Sequence, residues 1–376
     1  MYICGNLVIA NMNRLYFIDN LRIFLISLVV LHHLAITYGA PGGWYYHEAR
    51  PGFPDILPML LFVASNQSFF MGMFFFVSAY FMVPSLNRKG TGRFTAERML
   101  RLGVPLLFFV FVLSPLTVYL VDSFARGQQV SLVDYWLHFY GIGPGPLWFV
   151  EALLLFSFVY LAFRRLKLRV RIPFPKTGMI LLAAFLTGIL QFIIRLWLPL
   201  GWSMPVTGFQ FPYFVQYILL FALGIVAYHN NWMDSVTPEM GKRWFIAANV
   251  LILVVLPVLF MLGMHGGEEV FGGGLHWQSL GLALWEQFTG FSLIIGLTGI
   301  FKKYFSTQGT AATQLSGTAY AVFIIHTPVI VALSVSLRHW EVYPPLKFLA
   351  LAPLALAASF LVAWMVKQVP GVRRVV

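Results

Sequence analysis

Apolar residues run through this 376-residue chain in long blocks broken by short polar joints. A helix needs roughly 20 mostly apolar residues to cross a bilayer. Ten blocks reach that length, near 21–40, 57–83, 101–121, 146–163, 179–198, 211–228, 244–263, 278–300, 318–337 and 346–367. The joints carry the turn formers, among them Pro41-Gly42-Gly43, Gly143-Pro144-Gly145-Pro146, Gly272-Gly273-Gly274 and Pro344-Pro345. The pattern predicts an all-α fold, a polytopic bundle of about ten transmembrane helices forming one domain over 1–376. The second block is long for a span and is expected to be tilted or broken near Gly72. Residues 1–13 read as a disordered leader and not as a cleavable signal, since they lack a basic leading region; Met12 is an alternative start.

Composition sharpens this reading. Hydrophobic residues make up 59% of the chain and charged residues 10%, which excludes an ordinary soluble domain. A formal charge of +12 fits nucleic-acid binding less well than membrane orientation, because the charges sit in the joints. Alternate joints hold most of the bases: Arg14, then Arg88, Lys89, Arg93, Arg98 and Arg101, then Arg164, Arg165, Lys167, Arg169, Arg171 and Lys176, then Lys242, Arg243, Lys302, Lys303, Lys367, Arg373 and Arg374. The opposite set holds Arg50, Arg126, Arg338 and Lys347 beside Glu48, Asp55, Asp122, Asp134, Glu268, Glu269 and Glu341. Basic residues mark the cytoplasmic side, so both termini are expected there. With Cys4 as the one cysteine, neither an intrachain disulfide nor a cysteine metal site is expected. His32 and His33 point different ways on a helix, and no metal site is expected from them either.

Polar residues inside the spans are the candidates for chemistry, because ionisable groups in a membrane are costly and mark function. Arg22 and His33 lie eleven residues apart in the first span, on one stripe and about 16 Å apart along the axis, with Ile26 and Val29 between them. His32 is turned away. Arg98 and Arg101, three apart, are helical neighbours; with Arg93 and Arg22 they can form a basic cytoplasmic mouth for phosphates, or simply anchor anionic lipid. Ser78 and Tyr80, at the inner end of span two, approach the same mouth. Trp148 and Glu151 open span four from the outer side, and Glu286 lies about two turns into span eight. Each acid can meet a polar acceptor or be a satisfied interhelical contact. His326 sits near mid-depth in span nine, at a depth that allows it to approach His33.

Together these stretches resemble the integral-membrane acyltransferase-3 family. Asp19-Asn20-Leu21-Arg22 followed by His33 resembles its arginine, ten residues, histidine motif. Phe75-Phe76-Val77-Ser78-Ala79-Tyr80 resembles the end of its second span, with Ala79 where glycine is usual. Arg98 and Arg101 match its paired arginines, and Ser316, Tyr320 and His326 its late serine-tyrosine-histidine stretch. Pro146-Leu147-Trp148-Phe149 adds a weaker match. The resemblance implies a bacterial-type cytoplasmic membrane enzyme that carries acyl groups, such as acetyl or succinyl, from cytoplasmic acyl-coenzyme A to a hydroxyl of a glycan or lipid. Acyl-coenzyme A would be a co-substrate and no cofactor would be bound. In these terms His33 is the general base, with His326 its competitor and Arg22 beside them. Arg98, Arg101, Arg93, Ser78 and Tyr80 face the donor, and Trp148, Glu151 and Glu286 the acceptor. The rival is a transporter for an anionic metabolite or lipid-linked sugar. Transporters commonly show repeated halves with interrupted helices in matching places, and the chain shows no such correspondence.

Overall fold

The computed structural model describes residues 14–49, 51–52, 55–138, 140–164 and 171–376. The leader 1–13 with Cys4 and Met12, and the bases Arg50, Arg165, Lys167 and Arg169, lie outside the described residues. Among the described residues, ten helices are long and apolar enough to cross a membrane: α1 Tyr16–Thr37, α2 Leu57–Lys89, α3 Thr91–Ala125, α4 Gly145–Phe163, α5 Thr177–Arg195, α6 Phe211–His229, α7 Pro238–Gly266, α8 Trp277–Tyr304, α9 Thr310–Ser336 and α10 Pro344–Val366.

Their arrangement follows from what a lipid solvent rewards. The most apolar window belongs to α7, which is the least buried; the least apolar belongs to α8, which is the most buried. In a bilayer apolar side chains gain nothing by facing inward, so small and hydrogen-bonding residues fill the interior. Accordingly α8 is rich in Gly, Ser, Thr and Gln and packs against α7, α5 and α2, while α1 is seated among α9, α10, α2 and α8.

The second span differs from the sequence expectation. It is one continuous helix, unbroken at Gly72 and carrying Pro84 inside it. Gly72 serves close packing instead: a Cβ there would fall 2.4 Å from Leu220 Cδ1 and 2.9 Å from Gln216 Oε1 on α6. Ala79, the departure from the family pattern, is fully buried and is matched by Gly224 across the same interface, where an added Cβ would lie 2.9 Å from the Ala79 methyl.

The third span also begins earlier than its apolar block. Only Gly90 separates α2 from α3, so Arg93, Arg98 and Arg101 stand on the helix and not in a loop. Three π-helical turns interrupt α3, at Met99–Gly103, Phe109–Leu113 and Val121–Ala125. The first two precede Pro105 and Pro115; proline lacks the N–H and crowds the carbonyl four residues back, which widens the preceding turn.

Candidate active site

Two histidines meet between α1 and α9, His326 fully buried and His33 half-buried. His33 on α1 and His326 on α9 place Nδ1 and Nε2 3.0 Å apart, with rings stacked at 5.1 Å and 20°. The second nitrogen of His326, Nδ1, lies 2.7 Å from the Phe323 carbonyl. A carbonyl only accepts, so Nδ1 of neutral His326 carries the hydrogen and Nε2 holds the lone pair. That lone pair accepts from Nδ1–H of His33, which leaves Nε2 of His33 as the basic nitrogen of the pair. His32 faces elsewhere, as its helical position requires, with its ring 5.0 Å from Phe70.

A residue that sequence reasoning missed completes this stack. Trp44, in the loop after α1, lies parallel to His33 at 4.1 Å and 11° and reaches His326 at 6.2 Å and 19°. No spacing or motif points to it, because a loop tryptophan reads as an interfacial residue. Its loop is tied into the bundle. Tyr45 Oη meets Ser114 Oγ at 3.0 Å, the Glu48 N–H donates to the Thr37 carbonyl at 2.9 Å, and the Glu48 carboxylate accepts from the buried Lys347 ammonium. Burial pushes the Glu48 carboxyl up from its ordinary value, against the pull of Lys347.

The other end of α1 is basic. Arg22 bonds Asp19 at 3.3 Å and covers the Phe81 ring at 4.9 Å. Asp19 is shared with Arg14. Arg101 lies close enough to repel Arg22, Arg98 and Lys367. Burial lowers the Lys367 ammonium, and the charges of Arg373 and Arg101 lower it further. Arg98 packs on Phe94 at 5.1 Å. Tyr320 on α9 donates to the Arg101 carbonyl at 2.6 Å, a carbonyl that Pro105, four residues on, has no N–H to serve. Arg22, Arg98, Arg101 and Lys367 thus gather at one mouth, and the C-terminal Lys367 joins by geometry the sequence did not announce. Arg93 does not join them; it is exposed and paired with Glu97 at 3.2 Å. Ser78 is half-buried. Tyr80 is one ring removed from Arg22, edge-on to Phe81 at 5.3 Å. Ser316 bonds the Thr313 carbonyl at 3.1 Å, within its own helix.

Trp148 stacks on Tyr217 at 5.7 Å and 26°, and its neighbour Phe149 meets Phe323 at 5.9 Å. Aromatic packing thereby links Trp148 to the turn that orients His326. Glu151 is half-buried. Glu286 makes an interhelical contact: it is ion-paired with Arg195 at 2.5 Å and accepts from Gln191. From there the network runs through Gln287, which donates to Gln191 at 2.6 Å and accepts from Gln216 at 3.1 Å. The sequence places Arg195 within a span, but a partner 91 residues later leaves no local signal.

A family model described as an acyltransferase domain matches residues 15–364. The chain is similar to glucans biosynthesis protein C of Escherichia coli strain SMS-3-5 / SECEC and of Escherichia coli O1:K1 / APEC, in each case 28% identical over 118 residues. That match covers 31% of this chain and 29% of the length of those relatives. No solved structure matches.

Proposed function

The chain belongs to the acyltransferase-3 family, and from that premise we propose that it transfers an acyl group from acyl-coenzyme A to a hydroxyl of a glycan or lipid acceptor. The observation that carries this reading is the orientation of the histidine pair. His326, held by the Phe323 carbonyl, accepts from His33 and turns the free lone pair of His33 outward from the pair. A neutral imidazole with one committed N–H is the usual form of a general base.

In the proposed reaction the mouth of Arg22, Arg98, Arg101 and Lys367 holds the phosphates of coenzyme A, and the thioester arm runs inward along α1. His33 Nε2 takes the proton of the acceptor hydroxyl as its oxygen bonds to the acyl carbon. The carbon–sulfur bond then breaks, and the departing thiolate recovers the proton from His33. Atoms and charge balance without a further reactant. A glucan is a natural first acceptor to try, given the name of the relatives, and acetyl- and succinyl-coenzyme A are the first donors. The direct test is release of free coenzyme A thiol by the purified protein in nanodiscs, with and without glucan oligosaccharides. No release above the protein-free rate from either donor would remove the reading.

The donor site makes a sharper demand. Arg98→Ala and Arg101→Ala should each weaken coenzyme A binding by about tenfold or more, since a charge-assisted hydrogen bond contributes about 1.5–3 kcal/mol. Acceptor affinity should change little. Lysine should restore only part of the loss, because it lacks the bidentate fork. Calorimetric titration with coenzyme A measures this; unchanged affinity in both alanine variants would reduce the arginines to lipid anchors.

We place the basic mouth in the cytoplasm of a bacterial-type cell, at its cytoplasmic membrane, from the charge asymmetry of the joints. In a Cys4→Ser background, Gln129→Cys and Glu268→Cys should react with a membrane-impermeant maleimide on intact cells, and Ser306→Cys should react only after lysis. All three positions are exposed. The reverse labelling pattern would invert the orientation.

A further inference from the structure

We propose that the indole N–H of Trp44 is a hydrogen-bond donor to the reacting carbonyl oxygen of the substrate, held beside the base by its stack on His33; this deepens the acyl-transfer reading and rests on it. The N–H of Trp44 is buried and has no partner among the described residues, although the residue as a whole is only half-buried. Buried tryptophan N–H groups usually find an acceptor. Two others in this protein do: Trp232 donates to the Ile172 carbonyl at 2.9 Å and Trp285 to the Leu251 carbonyl at 2.7 Å. An unmade bond of this kind costs about 1–3 kcal/mol. Trp44 carries that cost one van der Waals layer from the nitrogen pair that does the chemistry, 4.1 Å from His33.

The position of the ring is fixed and not incidental. Tyr45 packs edge-on to Trp44 at 5.5 Å and is held through Ser114, whose hydroxyl donates to the Gly141 carbonyl at 2.6 Å. The Glu48–Lys347 pair ties down the other side of the loop. With its plane parallel to both imidazoles, the ring commits its face to the stack and leaves its edge, where the N–H lies, to meet a ligand. As the acceptor oxygen bonds to the thioester carbon, the carbonyl oxygen gains negative charge. A fixed neutral donor stabilises that charge without giving up its hydrogen, and the carbonyl re-forms when the carbon–sulfur bond breaks.

Trp44→Phe keeps an aromatic ring for the stack and deletes the N–H. It should lower kcat by about 10²-fold, the effect of one lost oxyanion donor, while KM for the donor and coenzyme A affinity stay within about twofold. Benzothienylalanine at position 44, which replaces only the N–H by sulfur, should give the same loss and keeps the test decisive if the phenylalanine variant does not fold. Thiol release from acetyl- and succinyl-coenzyme A reads both. Should benzothienylalanine leave kcat within about threefold of the native protein while His33→Ala is inactive, Trp44 only packs, and the inference falls with the acyl-transfer reading intact. A fully active His33→Ala protein would remove that reading, and this inference with it.

Discussion

Replacing His33 with alanine is expected to leave the bundle folded and coenzyme A bound, and to reduce acyl transfer by about 10²–10⁴-fold, the contribution typical of a general base. Its partner separates two roles. His326 accepts from His33 through Nε2 while its own Nδ1–H is committed to Phe323, so in the proposed mechanism it positions the base and does not act as one. His326→Gln offers an amide oxygen near the place of Nε2 and should keep a substantial part of the activity. His326→Leu should lose about as much as His33→Ala, because His33 would lose the ring nitrogen it bonds and, with it, its orientation. Donor affinity should be unchanged in all three, which a merely destabilised bundle would not show. His32→Ala should be mild, since that ring packs on Phe70 and its buried Nδ1 has no partner among the described residues. The order is reversed if His33→Ala is active beside an inactive, well-folded His326→Leu; the base then belongs to α9. Full activity in both would end the histidine mechanism.

Glu286→Gln should destabilise the fold more than any of the histidine, arginine or tryptophan substitutions. It would leave the Arg195 guanidinium, fully buried, with no counter-charge, and removing one partner of a buried pair costs about 3–5 kcal/mol. The cost is enlarged by the neighbourhood: Nε and Nη1 of Arg195 already have no acceptor among the described residues, and Tyr213 offers its ring face at 5.1 Å. A double replacement, Arg195→Met with Glu286→Met, should recover much of the loss, because two apolar groups of similar volume leave neither charge stranded. Thermal unfolding in one detergent, with the native protein beside both variants, measures the effect. A Glu286→Gln variant as stable as the native protein would mean that the pair is solvated and the network through Gln191, Gln287 and Gln216 carries no weight. Since the sequence sets Glu286 on the acceptor side, its activity is informative too: a stable variant with raised acceptor KM would return it to that role.

What the sequence by itself determined is what depends on local composition and helical period. The ten spans are each visible as an apolar block, because a bilayer demands length and apolarity from every crossing segment separately. The alignment of Arg22 with His33, and the turning away of His32, follow from 3.6 residues per turn within one helix. Tertiary structure decided everything that needs two distant segments. The 293-residue separation of His33 and His326 hides both their contact and the direction of their hydrogen bond; the depth of each histidine suggested a meeting but could not say which nitrogen stays free. Arg93 and Arg98 look equivalent in a basic run, yet helix geometry sends Arg93 to Glu97 and Arg98 to the mouth. Gly72 reads as a hinge and is a contact, since a missing side chain signals a close neighbour as readily as a bend. Glu286 reads equally as an acceptor contact or an interhelical one, and only the fold sets it against Arg195. Trp44 gave no signal at all, because stacking is a relation between surfaces, and only the folded loop brings that ring onto His33.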